Sequence, residues 1–240
     1  MTETCLTEKR LLALAAVAVL ALLGAGMMIF LYAPQDALQG PVQRIFYVHV
    51  SSIVSAYFCF GLTVAGSAYY LWRGALWADR WARCGALVGL VLTSVCLLLG
   101  IIWAKPIWNW DPAETWDARF TSTVVLWVLY AGYLLLRKFA PPGRTAMRLA
   151  AVVGIVAFVD VPIVYFSVEW WRTLHPGPII ETHALPAAMM TAYTVTQAAM
   201  LLLTLTLVLA RYRIEAVRDA RADDAAQAAM LELSAEGSRS

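Results

Sequence analysis

Residues 103–119 read WAKPIWNWDPAETWDAR, a stretch that holds four tryptophans and five charged side chains between two strongly apolar segments. A helix facing lipid cannot hold that mixture, so the stretch predicts a wetted platform at a membrane surface with an aromatic, apolar floor. A flat amphipathic molecule could lie on it.

Working outward from this platform, the chain resolves into six apolar runs, at about 11–32, 45–72, 84–102, 121–136, 149–168 and 188–210. Each is close to the roughly 20 residues that an α-helix needs to cross a bilayer. The composition agrees: 61% of the 240 residues are hydrophobic, 14% are charged, and the mean hydropathy is +0.69. The expectation is an all-α integral membrane protein with six transmembrane helices and a Trp-rich outward loop between helices 3 and 4. Lys9 and Arg10 precede the first run, and Tyr32, Ala33 and Pro34 follow it without a small-residue cleavage pattern. It reads as a retained helix rather than a removed signal peptide.

Lysines and arginines set the orientation. Fourteen of the eighteen lie in the N-terminus, the 73–83 and 137–148 loops and the C-terminal tail, and only Arg44, Lys105, Arg119 and Arg172 lie in the alternate loops. By the positive-inside rule both termini are cytoplasmic, and the Trp-rich platform shares the opposite surface with the 33–44 and 169–187 loops. Residues 1–214 form the membrane domain, with the Trp-rich segment at 103–122. Residues 215–240 form a cytoplasmic, partly disordered tail that begins as a short helix.

Several function classes drop out. A net charge of +2 gives no reason to expect nucleic acid, and the chain has no phosphate-binding loop with which to drive transport by itself. Cys5, Cys59, Cys84 and Cys96 contain no CxxC pair, so no disulfide framework, zinc site or covalent haem attachment is expected.

The three histidines all fall on the outward side. His49 sits about a turn and a half into the second helix, on a small, polar stripe of His49, Ser52, Cys59, Thr63 and Gly66 that should face protein. His175 and His183 lie in the last outward loop. An imidazole on each side of the platform could supply two axial ligands to haem iron, with the tryptophans covering the macrocycle and Arg119 or Lys105 pairing with the propionates. Each feature also has a plainer reading. Tryptophans serve as interfacial anchors, and Trp170 and Trp171 read equally well that way.

Four strings together make the chain resemble the CcmC family of haem-handling proteins of cytochrome c maturation, within a wider group marked by a tryptophan-rich "WWD" segment. They are IFYVHV at 45–50, WAKPIW at 103–108, WDARFTS at 116–122 and PIVYFSVEWWRTLHPG at 162–177. The resemblance implies a multi-pass bacterial inner-membrane protein that binds haem b at the periplasmic face and passes it to the haem chaperone CcmE. It implies a transfer subunit more than a classical enzyme, with CcmA, CcmB and the small CcmD as partners in an ABC-type complex. His49 and His175 take the axial positions, and Trp103, Trp108, Trp110, Trp116, Asp117 and Arg119 form the platform.

Two departures stand out. The string WDPAE at 110–114 is closer to the related cytochrome c synthetase proteins of the CcsA and CcmF types, so either Asp111 or Asp117 could be the family's aspartate. The string WDAR at 116–119 favours Asp117. Asp160 stands in the fifth helix where a neutral amide is expected, and an acid there needs a partner or a wet cavity. A haem or solute permease and a synthetase-like attachment component are the alternative functions.

Overall fold

The computed structural model describes residues 7–110, 116–141, 143–171, 173–177, 179–180, 182 and 184–237, with side chains beyond 222 described only at 224, 225, 227 and 228. Among the described residues the elements are helical: α1 (Glu8–Met27) with a π-helical turn at Met28–Tyr32, a 3-10 turn at Pro41–Arg44, α2 (Ile45–Arg73), α3 (Leu76–Trp108), α4 (Ala118–Phe139), α5 (Arg144–Phe158), α6 (Asp160–Trp170) and α7 (Ala187–Gly237). Six helical stretches, 8–32, 41–73, 76–108, 118–139, 144–170 and 187–222, are long and apolar enough to cross a membrane.

The centre of the bundle is the α2–α3 hairpin. Gly74 turns the chain in the left-handed conformation, at φ 67°, and its N–H donates to the Tyr70 carbonyl. The two helices then lie very close. A Cβ at Gly66 would sit 2.5 Å from the Ala78 carbonyl oxygen, and one at Gly85 would sit 2.5 Å from that of Cys59. Small residues allow this approach where lipid gives no hydrophobic drive to associate. The stripe predicted to face protein does so, with Ser52, Cys59 and Thr63 fully buried. Around the hairpin the Phe60 and Tyr130 rings stack 3.7 Å apart, and Leu126, Val164 and Val208 complete the core.

At the end of the bundle near the Gly74 turn, charge replaces apolar contact. Asp79, in the first turn of α3, accepts two hydrogen bonds from Arg137 of α4 at 2.7 and 2.6 Å. Arg83 reaches Glu215 at 3.1 Å and Asp219 at 2.7 Å on α7, and Arg80 also reaches Asp219, at 2.9 Å. Arg137 is therefore engaged inside the protein. The tail forms no separate short helix at its start: α7 runs unbroken from Ala187 to Gly237.

Two further differences from expectation matter. The first part of the expected Trp-rich loop is helix, because α3 continues for 33 residues to Trp108 and ends on Asn109 at φ 49°. The fifth span is two helices, interrupted at Val159 between α5 and α6. Pro162 supplies no N–H, so the turn after the interruption cannot close normally. Asp160 lies at this interruption, 8% exposed, and its Oδ2 has no hydrogen-bond partner among the described residues.

Candidate functional site

At the end away from the Gly74 turn, the segments before α2, between α3 and α4, and after α6 meet. The Trp103 indole N–H donates to Gln39 at 3.0 Å, and the Thr173 hydroxyl donates to Asp117 at 2.5 Å. Beneath them is a cavity of about 410 Å³ walled by α2, α3, α4, α6 and the first turns of α7. That volume is in the range of small-molecule and cofactor sites.

His49 enters the cavity wall from α2. A carbonyl oxygen can only accept, so the 2.9 Å contact between His49 Nδ1 and the Cys96 carbonyl fixes Nδ1 as the protonated nitrogen. The neutral ring then carries its lone pair on Nε2. Gly100, one turn beyond Cys96, makes room for the ring, since a Cβ there would lie 3.0 Å from His49 Cε1.

His175 enters from the opposite side. Its Nδ1 lies 3.2 Å from Asp117 Oδ1 and 3.3 Å from the Thr173 hydroxyl. Asp117 caps α4 by accepting from the Phe120 N–H at 2.9 Å, and it also accepts from the Leu174 N–H at 3.0 Å. Burial alone would raise this carboxyl, which is 2% exposed. The hydrogen bonds from His175, Thr173 and Phe120 outweigh it and hold the group well below the usual carboxylate range. Asp117 is thus an anion that orients His175 through Nδ1, and Nε2 is again the free nitrogen.

Aromatic rings connect the two imidazoles. His49 meets Trp103 edge to face with centroids 5.7 Å apart, Trp103 meets Trp108 at 5.9 Å, and Trp108 meets His175 at 6.1 Å. Trp110 closes the wall against Phe120 at 4.9 Å. The result is one mostly apolar cavity lined by two separate imidazoles whose Nδ1 atoms are already engaged.

Residues 2–227 match the family described as heme exporter protein C. The chain belongs to that family. It is 34% identical over 215 residues to heme exporter protein C of Bradyrhizobium diazoefficiens, an alignment covering 87% of this chain and 80% of the relative. It is 35% identical over 190 residues to heme exporter protein C of Escherichia coli strain K12, covering 77% and 74%. A putative cytochrome c biosynthesis ccmC-like mitochondrial protein of Arabidopsis thaliana is 34% identical over 150 residues, covering 61% and 55%. Six spanning helices and this membership make the chain a multi-pass membrane protein.

Of the candidate residues of this heme exporter protein C family member, His49, His175, Trp103, Trp108, Trp110, Asp117 and Arg119 all line the one cavity. Trp116 does not. It is 65% exposed and lies outside the wall. Arg119 donates through Nε to the Val164 carbonyl at 3.4 Å and through Nη2 to that of Tyr165 at 3.1 Å, tying α4 to α6. Lys105 is on the exposed side of the last turns of α3 and is not part of the wall. Asp111, the rest of 111–115, Arg172 and His183 lie outside the described residues.

Sequence reasoning missed Gly100, Thr173, Phe46 and Tyr193. Phe46 was findable, since it sits one helical turn before His49 and packs on Trp103 at 6.2 Å. Thr173 stands two residues before His175 inside a string already singled out. Gly100 and Tyr193 carried no local signal.

Proposed function

We propose that this cavity holds haem b at the periplasmic face of the bacterial inner membrane, with His49 and His175 as the two axial ligands through Nε2. The observation that carries this reading is that both imidazoles line one aromatic cavity with Nδ1 already engaged. Among the described residues no cluster of three or more His, Cys, Asp or Glu could hold a bare metal ion. Two imidazoles suit a metal that arrives with its equatorial ligands already in place, as in a porphyrin.

Within this reading the residues divide the work. Cys96 and Gly100 fix the His49 ring, and Asp117 with Thr173 fixes the His175 ring. Trp103 and Trp108 lie along the path between the two ligands, and Trp110 covers its flank. Arg119 has no partner for Nη1 among the described residues, which suits charge-assisted pairing with a propionate. Trp116 is assigned to the rim, where an acceptor protein or the membrane interface meets it.

The protein then acts by holding and positioning rather than as a classical enzyme. It presents haem to the chaperone CcmE, within an ABC-type complex that includes CcmA, CcmB and CcmD. Positive-inside asymmetry supports cytoplasmic termini, residues 1–214 as the membrane haem-handling unit and 215–240 as a cytoplasmic tail. The pairs from Glu215 and Asp219 to α3 support a tail that starts out docked.

The test is spectroscopic. Protein purified in mild detergent should carry a Soret band with sharp α and β bands. His49→Ala and His175→Ala should each change the ligation spectrum or lose the pigment. Unchanged spectra in both variants would refute the assignment.

A further inference from the structure

At the opposite end of the bundle, Arg73 closes α2, while Arg144 and Arg148 open α5. The three side chains line one pocket of about 240 Å³ together with Tyr70, Leu71, Trp72 and Gly74. No acid is among the lining residues. None of the three arginines has an ion-pair partner among the described residues, whereas Arg80, Arg83, Arg137 and Arg211 of the same end all do.

Helix electrostatics explain only one of them. Arg73 in the last turn of α2 complements the negative end of that helix. Arg144 and Arg148 lie in the first two turns of α5, the positive end, where no side chain caps the helix, and as an i,i+4 pair they also repel each other. Orientation in the membrane asks for positive charge on one side. It does not ask for three guanidinium groups around one concavity.

The pocket is also built rather than incidental. The Arg73 guanidinium stacks on the Trp72 ring at 3.9 Å, and the Tyr70 hydroxyl contacts Met147 Sδ at 3.4 Å, joining the end of α2 to the start of α5. Beside it Trp72, 71% exposed, meets Tyr69 at 5.8 Å, and Tyr69 meets Trp77 at 4.9 Å. Such an aromatic cluster marks the headgroup layer of a bilayer.

We propose that Arg73, Arg144 and Arg148 form a binding site for a phosphate-type oxyanion, presented by an anionic phospholipid headgroup. Guanidinium groups match the planar, bidentate geometry of phosphate oxygens, and the aromatic cluster puts the pocket at headgroup depth. A free phosphate group has the same chemistry without the acyl chains. The site is distinct from the haem cavity: His49 and Arg73 are 24 residues apart on α2, about 36 Å along the helix.

The test uses the full chain, delipidated in a neutral detergent. Phosphatidylglycerol, phosphatidylcholine and inorganic phosphate are added separately, and bound lipid is read by native mass spectrometry and stability by the thermal midpoint. Phosphatidylglycerol should bind and raise the midpoint more than phosphatidylcholine. Arg144→Gln with Arg148→Gln should weaken that binding by about fivefold per arginine removed, and Arg73→Gln alone by about fivefold. Lys9→Gln with Arg10→Gln, which removes as much charge from the N-terminus, should leave it unchanged. Protection by inorganic phosphate that the arginine variants abolish, without preference for the anionic lipid, would keep the site and assign it to a soluble phosphate. Equal anion binding by wild type and the arginine variants, or an equal loss in the Lys9 and Arg10 control, would overturn the proposal.

Discussion

Asp79 and Asp117 are both 2% exposed, both sit at the start of a helix, and they occupy opposite ends of the same bundle. Asp79 is answered by guanidinium groups, Arg137 in a two-pronged ion pair and Arg83 through Nε at 3.5 Å. Asp117 is answered by two backbone N–H groups, a hydroxyl and an imidazole. The imidazole has a second nitrogen, so the effect of the Asp117 charge reaches past the partner into a cavity. The carboxylate paired with arginines is closed inside a web of protein charges, whereas the one paired with histidine lies one ring away from a cavity.

The largest effect that would sharpen this contrast is at the closed end. Asp79→Ala leaves Arg137 uncompensated, and it should cost about 3–5 kcal/mol of stability. The thermal midpoint should fall steeply, while pigment per folded molecule stays constant. A loss of pigment without a loss of stability would break the comparison.

Asp117→Asn should do the reverse, keeping most of the fold while weakening the proposed haem ligation through His175 by about 10–100-fold. Titration with haem, followed in the Soret band, measures this. The same carboxylate sets a pH dependence. Because its folded-state pKa is depressed, its contribution is fully present above the ordinary carboxylate range of about 4 and is lost as pH falls through the lower folded value. Its share of stability should be flat from about pH 5 to 8 and decline only in stronger acid. Asp117→Asn should remove that acid-induced decline, as equilibrium unfolding at several pH values would show.

Gly100→Ala pushes a methyl group against His49 Cε1, and overpacking of this kind costs about 1–2 kcal/mol. The shift should appear in the ligation spectrum more than in the thermal midpoint. Trp116→Ala should be the mildest change, within about 0.5 kcal/mol in stability and without effect on the Soret band, because its indole stands outside the wall. A Trp116 variant that lost pigment would move the platform's boundary.

The six spans were legible because length and hydropathy are local properties. Their ends were not. The third run looked like 84–102, yet α3 begins at Leu76, since Asp79, Arg80 and Arg83 are neutralised by partners on α4 and α7 that hydropathy cannot see. In the same way Trp103–Trp108 looked like loop because it is aromatic and charged, and it proves to be the last turns of a helix. His49, His175 and Asp117 could be picked out from strings of residues. What joined Asp117 to His175, 58 positions later, was folding alone. Gly100 escaped notice because its contribution is the absence of a side chain.

One dimension of α3 carries a last consequence. Its 33 residues make a rod of about 50 Å, against roughly 30 Å of hydrocarbon in a bilayer. A thicker or thinner membrane changes how much of that rod is wetted, yet the span from Asp79 to Trp103 stays the same. The distance between the charged end and the indole shelf is therefore set by a protein ruler, and it is the shelf's height above the lipid that varies with the membrane in which the chain resides.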